Sequence, residues 1–224
     1  MTSVGVGVLL LISLVQNTPN PSPPSRVGPG GETVVPVIPP EFRSVITGAT
    51  REKLTVRSLD GRPIPVDIGG YNVWDYRLYE SGRFLGMRLS GYEVAGYLLV
   101  DRAAHGNVIE TGREPLFSND GHWFAVAGIT DADQGNFEGI GLWEVGPTSS
   151  TRRFFTNAVP LSSDWRMDRW IGSCVAFSAF TSSGNGYYPS EKPERRHNYG
   201  LWVKPNITLQ QFGPEPPCDG TKRL

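Results

Sequence analysis

The chain has 224 residues, a formal charge of −1 and a pI near 6.3. It lacks the excess of basic residues with which nucleic-acid-binding proteins contact phosphates, so we expect no nucleic-acid partner. Glycine (27 residues) and proline (19 residues) together make up about a fifth of the chain, which argues against a helical bundle.

The N-terminal residues 1–16 are typical of a secretory signal. Residues 4–15 form an apolar run, which is too short for a membrane anchor because a spanning helix needs about 20 residues. Its length matches the hydrophobic region of a signal peptide, although no basic residue precedes it. A buried strand is the alternative. We expect an exported protein, periplasmic or secreted, that is at most peripheral to a membrane.

Residues 17–41 are rich in proline and glycine. Because proline lacks a backbone N–H donor, this stretch cannot sustain a hydrogen-bonded ladder. We expect an extended tether of the polyproline type, followed by a β-repeat domain over residues 42–213 and a C-terminal tail over residues 214–224.

Short apolar segments recur along the proposed domain. Three begin with glycine, at residues 96–100, 141–145 and 200–203, and a weaker copy lies at residues 54–56. A second apolar run follows about ten residues after each. A period of about 45 residues is typical of four-stranded repeat units, so the spacing predicts about four antiparallel units.

One unit contains a recognisable string, PLFSNDGHWFAV, at residues 115–126. It predicts a strand that ends at Phe117, a tight turn over Asn119, Asp120 and Gly121, and a returning strand from Trp123. The string resembles the P-x-W-S-P-D-G-x-x-x-A-F signature of TolB-type, WD-like propeller blades, with Asn119 in place of the family proline. The resemblance implies a fold and no particular activity.

The expected fold is therefore all-β, a propeller-like array of about four antiparallel sheets. Four blades are the lower limit for closing a ring, so an incomplete array and a β-sandwich remain open alternatives.

Cys174 and Cys218 are the only cysteines. In an exported protein this even count permits one disulfide, which would attach the C-terminal tail to the domain. A buried thiol and a separate tail thiol form the alternative.

Two clusters combine aromatic and acidic residues. The candidate ligand-binding residues in them are Trp74, Asp75, Trp165 and Asp168. Aromatic rings stack on the apolar faces of sugars and carboxylates accept hydrogen bonds from hydroxyls, so this combination suits a glycan. Packing between sheets is the competing interpretation.

We expect no cofactor and no metal site. The histidines, His105, His122 and His197, lack metal-ligand spacing from one another or from cysteine. Asp131, Asp133 and Glu138 resemble a loose calcium loop, but a solvated hairpin explains them as well. No catalytic motif occurs.

The leading functional hypothesis is an exported, non-enzymatic binding or structural module with a protein or glycan partner. One alternative is a glycan hydrolase that uses Asp164 and Asp168 as paired carboxylates. Another alternative is a fragment of a larger propeller whose remaining blades belong to a different chain.

Overall fold

The computed structural model describes residues 35–91, 94–128, 137, 139–157, 162–181, 196–203, 206–212 and 218. The proposed signal, most of the tether and most of the C-terminal tail lie outside these residues. In the part that is described, regular structure consists of strands and two single 3-10 turns, at Pro40–Phe42 and Glu80–Gly82. None of the described helical segments is long and apolar enough to cross a membrane.

The strands form four antiparallel sheets in chain order. Sheet 1 contains β1 (Ile46–Ala49), β2 (Lys53–Arg57) and β3 (Pro63–Asp67). Sheet 2 contains β4 (Asn72–Tyr79), β5 (Phe84–Gly91), β6 (Val94–Asp101) and β7 (Asn107–Glu110). Sheet 3 contains β8 (Leu116–Phe117), β9 (Trp123–Gly128), β10 (Gly139–Val145) and β11 (Ser150–Thr156). Sheet 4 contains β12 (Ser162–Ile171), β13 (Cys174–Thr181), β14 (Arg196–Trp202) and β15 (Thr208–Phe212).

The all-β fold class and the repeat are confirmed. The glycine-led segments lie in β6, β10 and β14, the third strands of sheets 2, 3 and 4, and the apolar runs that follow them lie in the fourth strands. The predicted turn of residues 115–126 also forms: β8 ends at Phe117, Gly121 has a φ of 66° and β9 begins at Trp123. The finer resemblance to TolB-type blades stays a prediction.

Each sheet buries one face against the next sheet. One core cluster joins sheets 1 and 2, a second joins sheets 2 and 3, and a third joins sheets 3 and 4. The middle cluster is largely aromatic, with Phe84, Phe124 and Trp143 in ring contacts of 5.1 to 5.9 Å. No cluster of described residues joins sheet 4 to sheet 1, so the array is open.

Hydrogen bonds between neighbouring sheets align their third-to-fourth-strand turns. The backbone N–H of Leu59, in the β2–β3 turn, donates to the carbonyl oxygen of Arg102 after β6 (2.8 Å). The Ser150 hydroxyl, at the start of β11, donates to the carboxylate of Asp101 at the end of β6 (2.8 Å). The β2–β3 hairpin is therefore equivalent to the third and fourth strands of the other sheets.

Sheet 1 consequently lacks the equivalent of a first strand. The residues that precede β1 include Pro36, Pro39 and Pro40, which have no N–H to contribute to a ladder. This segment instead runs past β4 of sheet 2, where Ile38 and Phe42 pack on the core between sheets 1 and 2.

Candidate functional site

The first strand of sheet 2, β4, contains a bulge at its centre. Trp74 pairs with Arg88, but the next paired residue is Arg77, opposite Gly86, so the register shifts between them. Asp75 has a φ of 52°, a left-handed conformation that aspartate tolerates better than most residues. Bulges of this kind redirect side chains and occur often beside binding sites.

The bulge changes which residues face the core. In a regular strand, Val73 would share its face with Asp75. Here Val73 and Tyr76 are both buried, whereas Trp74 is 52% exposed. Trp74 and Asp75 therefore face away from the core together, although they are adjacent in sequence.

A cleft lies between the proline-rich segment and β4. Its volume is about 520 Å³, within the range of small-ligand pockets. The cleft is lined on one side by Val35, Pro36, Val37, Pro39, Glu41 and Phe42, and on the other by Asn72, Val73, Trp74, Asp75 and Tyr76. We call it the Trp74 cleft.

The Trp74 cleft collects hydrophobic side chains that folding leaves in solvent. Val35 (51%), Val37 (79%) and Trp74 (52%) are three of the seven large hydrophobic residues that are exposed in the described part of the chain. Single exposed hydrophobic residues are common, but their concentration in one concave region is typical of an interaction site.

Tyr76 lines the cleft, but its hydroxyl is buried in the core between sheets 1 and 2. Its side chain is 8% exposed, its ring packs 5.5 Å from that of Phe42, and its hydroxyl has no hydrogen-bond partner among the described residues. Burial raises the pKa of Tyr76 to about 12, so the hydroxyl stays protonated at neutral pH. A buried hydroxyl without a hydrogen-bond partner costs free energy in the folded state.

Asp75 is held by two arginines. Its carboxylate accepts hydrogen bonds from Nε of Arg88 (2.9 Å) and Nε of Arg77 (3.2 Å). The hydrogen bond from Arg88 is the main reason that the pKa of Asp75 lies below its usual value, and Arg77 adds to the effect. Asp75 is therefore ionised at neutral pH.

The same arginines also bind a second carboxylate, Glu114. Nη1 of Arg77 lies 2.6 Å from one of its oxygens and Nη2 of Arg88 lies 3.4 Å from the other. The guanidinium of Arg88 also lies 5.7 Å from the Trp74 ring centre, a cation–π distance. Arg88 thus links the exposed indole to both acids and restricts its orientation.

Two tyrosines contact the network formed by the two arginines, Asp75 and Glu114. The Tyr79 hydroxyl donates to Glu114 (2.8 Å) and lies 2.6 Å from the hydroxyl of Tyr97. Gly86 makes room for the pair, because a Cβ at this position would collide with the rings of both tyrosines. Burial of Tyr97 raises its pKa to about 12, so this phenol is also neutral at physiological pH.

The four predicted ligand-binding residues do not all lie together. Trp74 and Asp75 line the cleft on sheet 2, whereas Trp165 and Asp168 lie on β12 of sheet 4. Trp165 is 1% exposed and packs against Phe177 in the core between sheets 3 and 4. Core packing accounts for the burial of Trp165, whereas Trp74 and Asp75 lie in the cleft, and ligand binding by these residues stays a prediction.

The remaining residues that the sequence suggested for catalysis or metal binding form no site in the described part of the chain. The side chain of Asp164 and the proposed calcium residues Asp131, Asp133 and Glu138 lie outside what the structure describes. In the described part, no three residues among His, Cys, Asp and Glu converge as a metal site would require. His105 instead accepts a hydrogen bond from Arg62 at the sheet surface (3.1 Å).

The disulfide between Cys174 and Cys218 is present. It fixes a tail residue on the face of sheet 4 that points away from sheet 3, where Cys174, Ala176 and Cys218 form a buried cluster. At the opposite end of the array, the outer face of sheet 1 carries exposed polar residues such as Lys53 and Asp67. The first and last sheets of an array each have one face with no neighbouring sheet, and that face must be polar or covered to be stable in water.

Several residues of the site gave no sequence signal that we recognised. Arg88 and Glu114 lie in unremarkable strand and loop sequence, and the pairing of Trp74 with Arg88 across the sheet brings them to the site. Tyr76 belongs to the aromatic and acidic cluster of β4, but its inward orientation follows from the bulge. A repeated turn sequence also went unused in the sequence analysis. The Ser58 hydroxyl donates a hydrogen bond to Asp60 in the β2–β3 turn (2.5 Å), as the Ser118 hydroxyl does to Asp120 in the β8–β9 turn (2.7 Å).

Comparison with known proteins adds little to this description. No protein-family model matches the chain, and no curated protein matches it. Among solved structures, the chain is similar to a crystal structure of a protein from Lactobacillus plantarum, with 15% sequence identity and a TM-score of 0.36. The match covers 72% of this chain and 50% of that protein, so this chain spans about half of its length. A similarity this low carries no argument about fold or function.

Proposed function

We propose that this chain is an exported, non-enzymatic binding module and that the Trp74 cleft receives its protein or glycan partner. The observation that carries the proposal is an exposed indole in a concave cleft that also collects the exposed side chains of Val35 and Val37. Exposed aromatic residues in pockets contribute a large share of the binding energy at interfaces.

Export is supported by the disulfide, because such bonds persist mainly in oxidising compartments. The signal-like residues 1–16 and the proline-rich tether agree with a domain held outside the cytoplasm.

Within the Trp74 cleft, the state of Asp75 favours binding over hydrolysis, whereas the hydrolase alternative places its carboxylates at Asp164 and Asp168. A glycosidase needs a carboxylic acid with a raised pKa to protonate the leaving group. Asp75 has a lowered pKa and is locked between Arg77 and Arg88. This geometry suits a fixed hydrogen-bond acceptor better than a proton donor.

The test uses the purified full-length protein against a panel of defined oligosaccharides and twelve-residue peptides, read by calorimetry and by product analysis. Trp74→Ala should weaken binding of any panel member that binds by about 30-fold, the usual effect of removing a central aromatic anchor. Leu78→Ala is the matched control, because Leu78 is similarly exposed on β4 but does not line the cleft.

Binding that survives Trp74→Ala unchanged would refute the site. Turnover of an oligosaccharide that is lost in Asp75→Asn would refute the non-enzymatic assignment. Turnover that is lost when Asp164 and Asp168 are both replaced by asparagine would restore the hydrolase alternative.

A further inference from the structure

The described chain begins at the Trp74 cleft. Val35, its first described residue, lines one wall, so residues 1–34 are covalently attached to the domain at this wall. The stretch nearest the domain with a recognisable binding chemistry is residues 19–26, with the sequence PNPSPPSR.

Residues 19–26 have the composition of a polyproline ligand. Four of the eight residues are proline, and Pro21 and Pro24 have the P-x-x-P spacing. Such segments favour an extended helix whose carbonyl groups are free, and they bind grooves lined with aromatic side chains at low entropic cost.

The cleft offers the matching groups. Phe42, Trp74 and Tyr76 provide aromatic surface against which proline rings pack. A proline-rich segment thus matches the apolar and aromatic surface of the cleft.

Charge is also complementary. Arg26 is the only basic residue among the first 42 residues of the chain. Glu41 lies in the cleft wall and makes no ion pair with any described residue, whereas Asp75 is already paired with two arginines. Glu41 is therefore the acid available to Arg26.

The connection is long enough for the segment to fold back. Residues 27–34 form an eight-residue linker that contains the sequence Gly28-Pro29-Gly30-Gly31, which is typical of a turn. A flexible linker of this length spans about 15 Å on average.

We propose that residues 19–26 occupy the Trp74 cleft of their own chain as a self-ligand, so that the external partner must displace them. The inference rests on the proposed function in that the same cleft binds the partner. Because the segment is tethered, its effective concentration at the cleft is in the millimolar range. Occupancy is then high even if the segment binds weakly.

The test measures binding of a synthetic peptide of residues 17–28 to three full-length proteins. These are the wild type, a triple variant with Pro21→Gly, Pro24→Gly and Arg26→Glu, and the control Pro29→Gly, which alters only the linker. For an intrinsic dissociation constant of about 100 μM, removing the internal competitor should tighten peptide binding about tenfold. The control should behave like the wild type, and adding Trp74→Ala to the triple variant should abolish binding.

Equal peptide affinity for wild type and triple variant would overturn the self-ligand. Absence of peptide binding to the triple variant would also overturn it, but the proposed function would stand if another panel member still binds through Trp74. If no panel member binds, both fail. A wild-type protein that dimerises reversibly while the triple variant stays monomeric would place the segment in the cleft of a second copy, and would overturn occupancy within one chain.

Discussion

Replacement of Asp101 by alanine tests how neighbouring sheets are held together. Asp101 is 1% exposed at the end of β6 and forms two 2.9 Å bonds with the guanidinium of Arg83. It also accepts hydrogen bonds from the Ser150 hydroxyl of sheet 3 (2.8 Å) and from the backbone N–H of Ala103 (3.1 Å). One carboxylate therefore satisfies three groups on two sheets.

The expected cost follows from what the substitution leaves behind. Removing one partner of a buried ion pair costs about 3–5 kcal/mol, because the remaining charge stays buried without an opposite charge beside it. The Arg83 side chain keeps 17% of its surface exposed, so some of its charge can be rehydrated. We expect a loss of about 3 kcal/mol in the free energy of unfolding, and a fall in Tm of roughly 6–12 °C for a domain of this size.

Urea denaturation followed by tryptophan fluorescence measures this loss, with thermal unfolding as the second assay. The matched control is Glu144→Ala, which removes an ion pair with Arg153 whose side chains are 40% and 52% exposed. Exposed pairs contribute about 0–1 kcal/mol, so the control should change stability little. Equal effects of the two substitutions would refute the argument that burial of Asp101 decides the energetics.

Two further predictions concern the disulfide and the charge on Asp75. Replacing Cys174 and Cys218 by serine should lower stability by up to about 4 kcal/mol, because the bond closes a loop of 44 residues and restricts the unfolded chain. Arg88→Gln should raise the pKa of Asp75 toward its usual value of about 3.9, because the Arg88 hydrogen bond is the main cause of its lowering. Denaturation measures the first effect, and an NMR pH titration of the Asp75 carboxyl measures the second.

Each of these predictions has an internal control. A reducing agent should lower the Tm of the wild type but not that of the double serine variant, and an unchanged wild type would contradict the first. Arg77→Gln should raise the pKa of Asp75 less than Arg88→Gln does, and a smaller rise in Arg88→Gln than in Arg77→Gln would contradict the prediction about Asp75.

The lowered pKa of Asp75 also makes the stability of the protein depend on pH. Since the native pKa of Asp75 is depressed, its stabilising contribution is present above about pH 4 and is lost as the pH falls through its native pKa.

The repeat could be read from the sequence because its signal is local. The third strands of sheets 2, 3 and 4 each contain a glycine followed by apolar residues, as at Gly141–Val145, and each fourth strand follows after a short turn. Strand pairing between consecutive segments needs only this periodicity and the turn residues. The all-β class and the positions of the third and fourth strands therefore followed from the amino-acid order.

The cleft could be predicted only in part. The aromatic and acidic composition around Trp74 and Asp75 identified a candidate, but the cluster around Trp165 has similar composition and lies in the core. Trp74 follows the buried Val73 and therefore faces outward, and the bulge in β4 then keeps Asp75 beside it and turns Tyr76 inward. A shift of one residue in register reverses the face of each side chain and leaves no mark in composition.

The sequence by itself determined the fold class, the number of repeat units and the pair of cysteines able to form a bond. Only the tertiary structure decided that sheet 1 lacks a first strand, that the array stays open, and that Arg88 and Glu114 meet beside Trp74. The physical reason is the separation in sequence of the residues that interact. A hairpin depends on residues a few positions apart, whereas the cleft depends on packing between segments about forty residues apart, from Val35 to Tyr76.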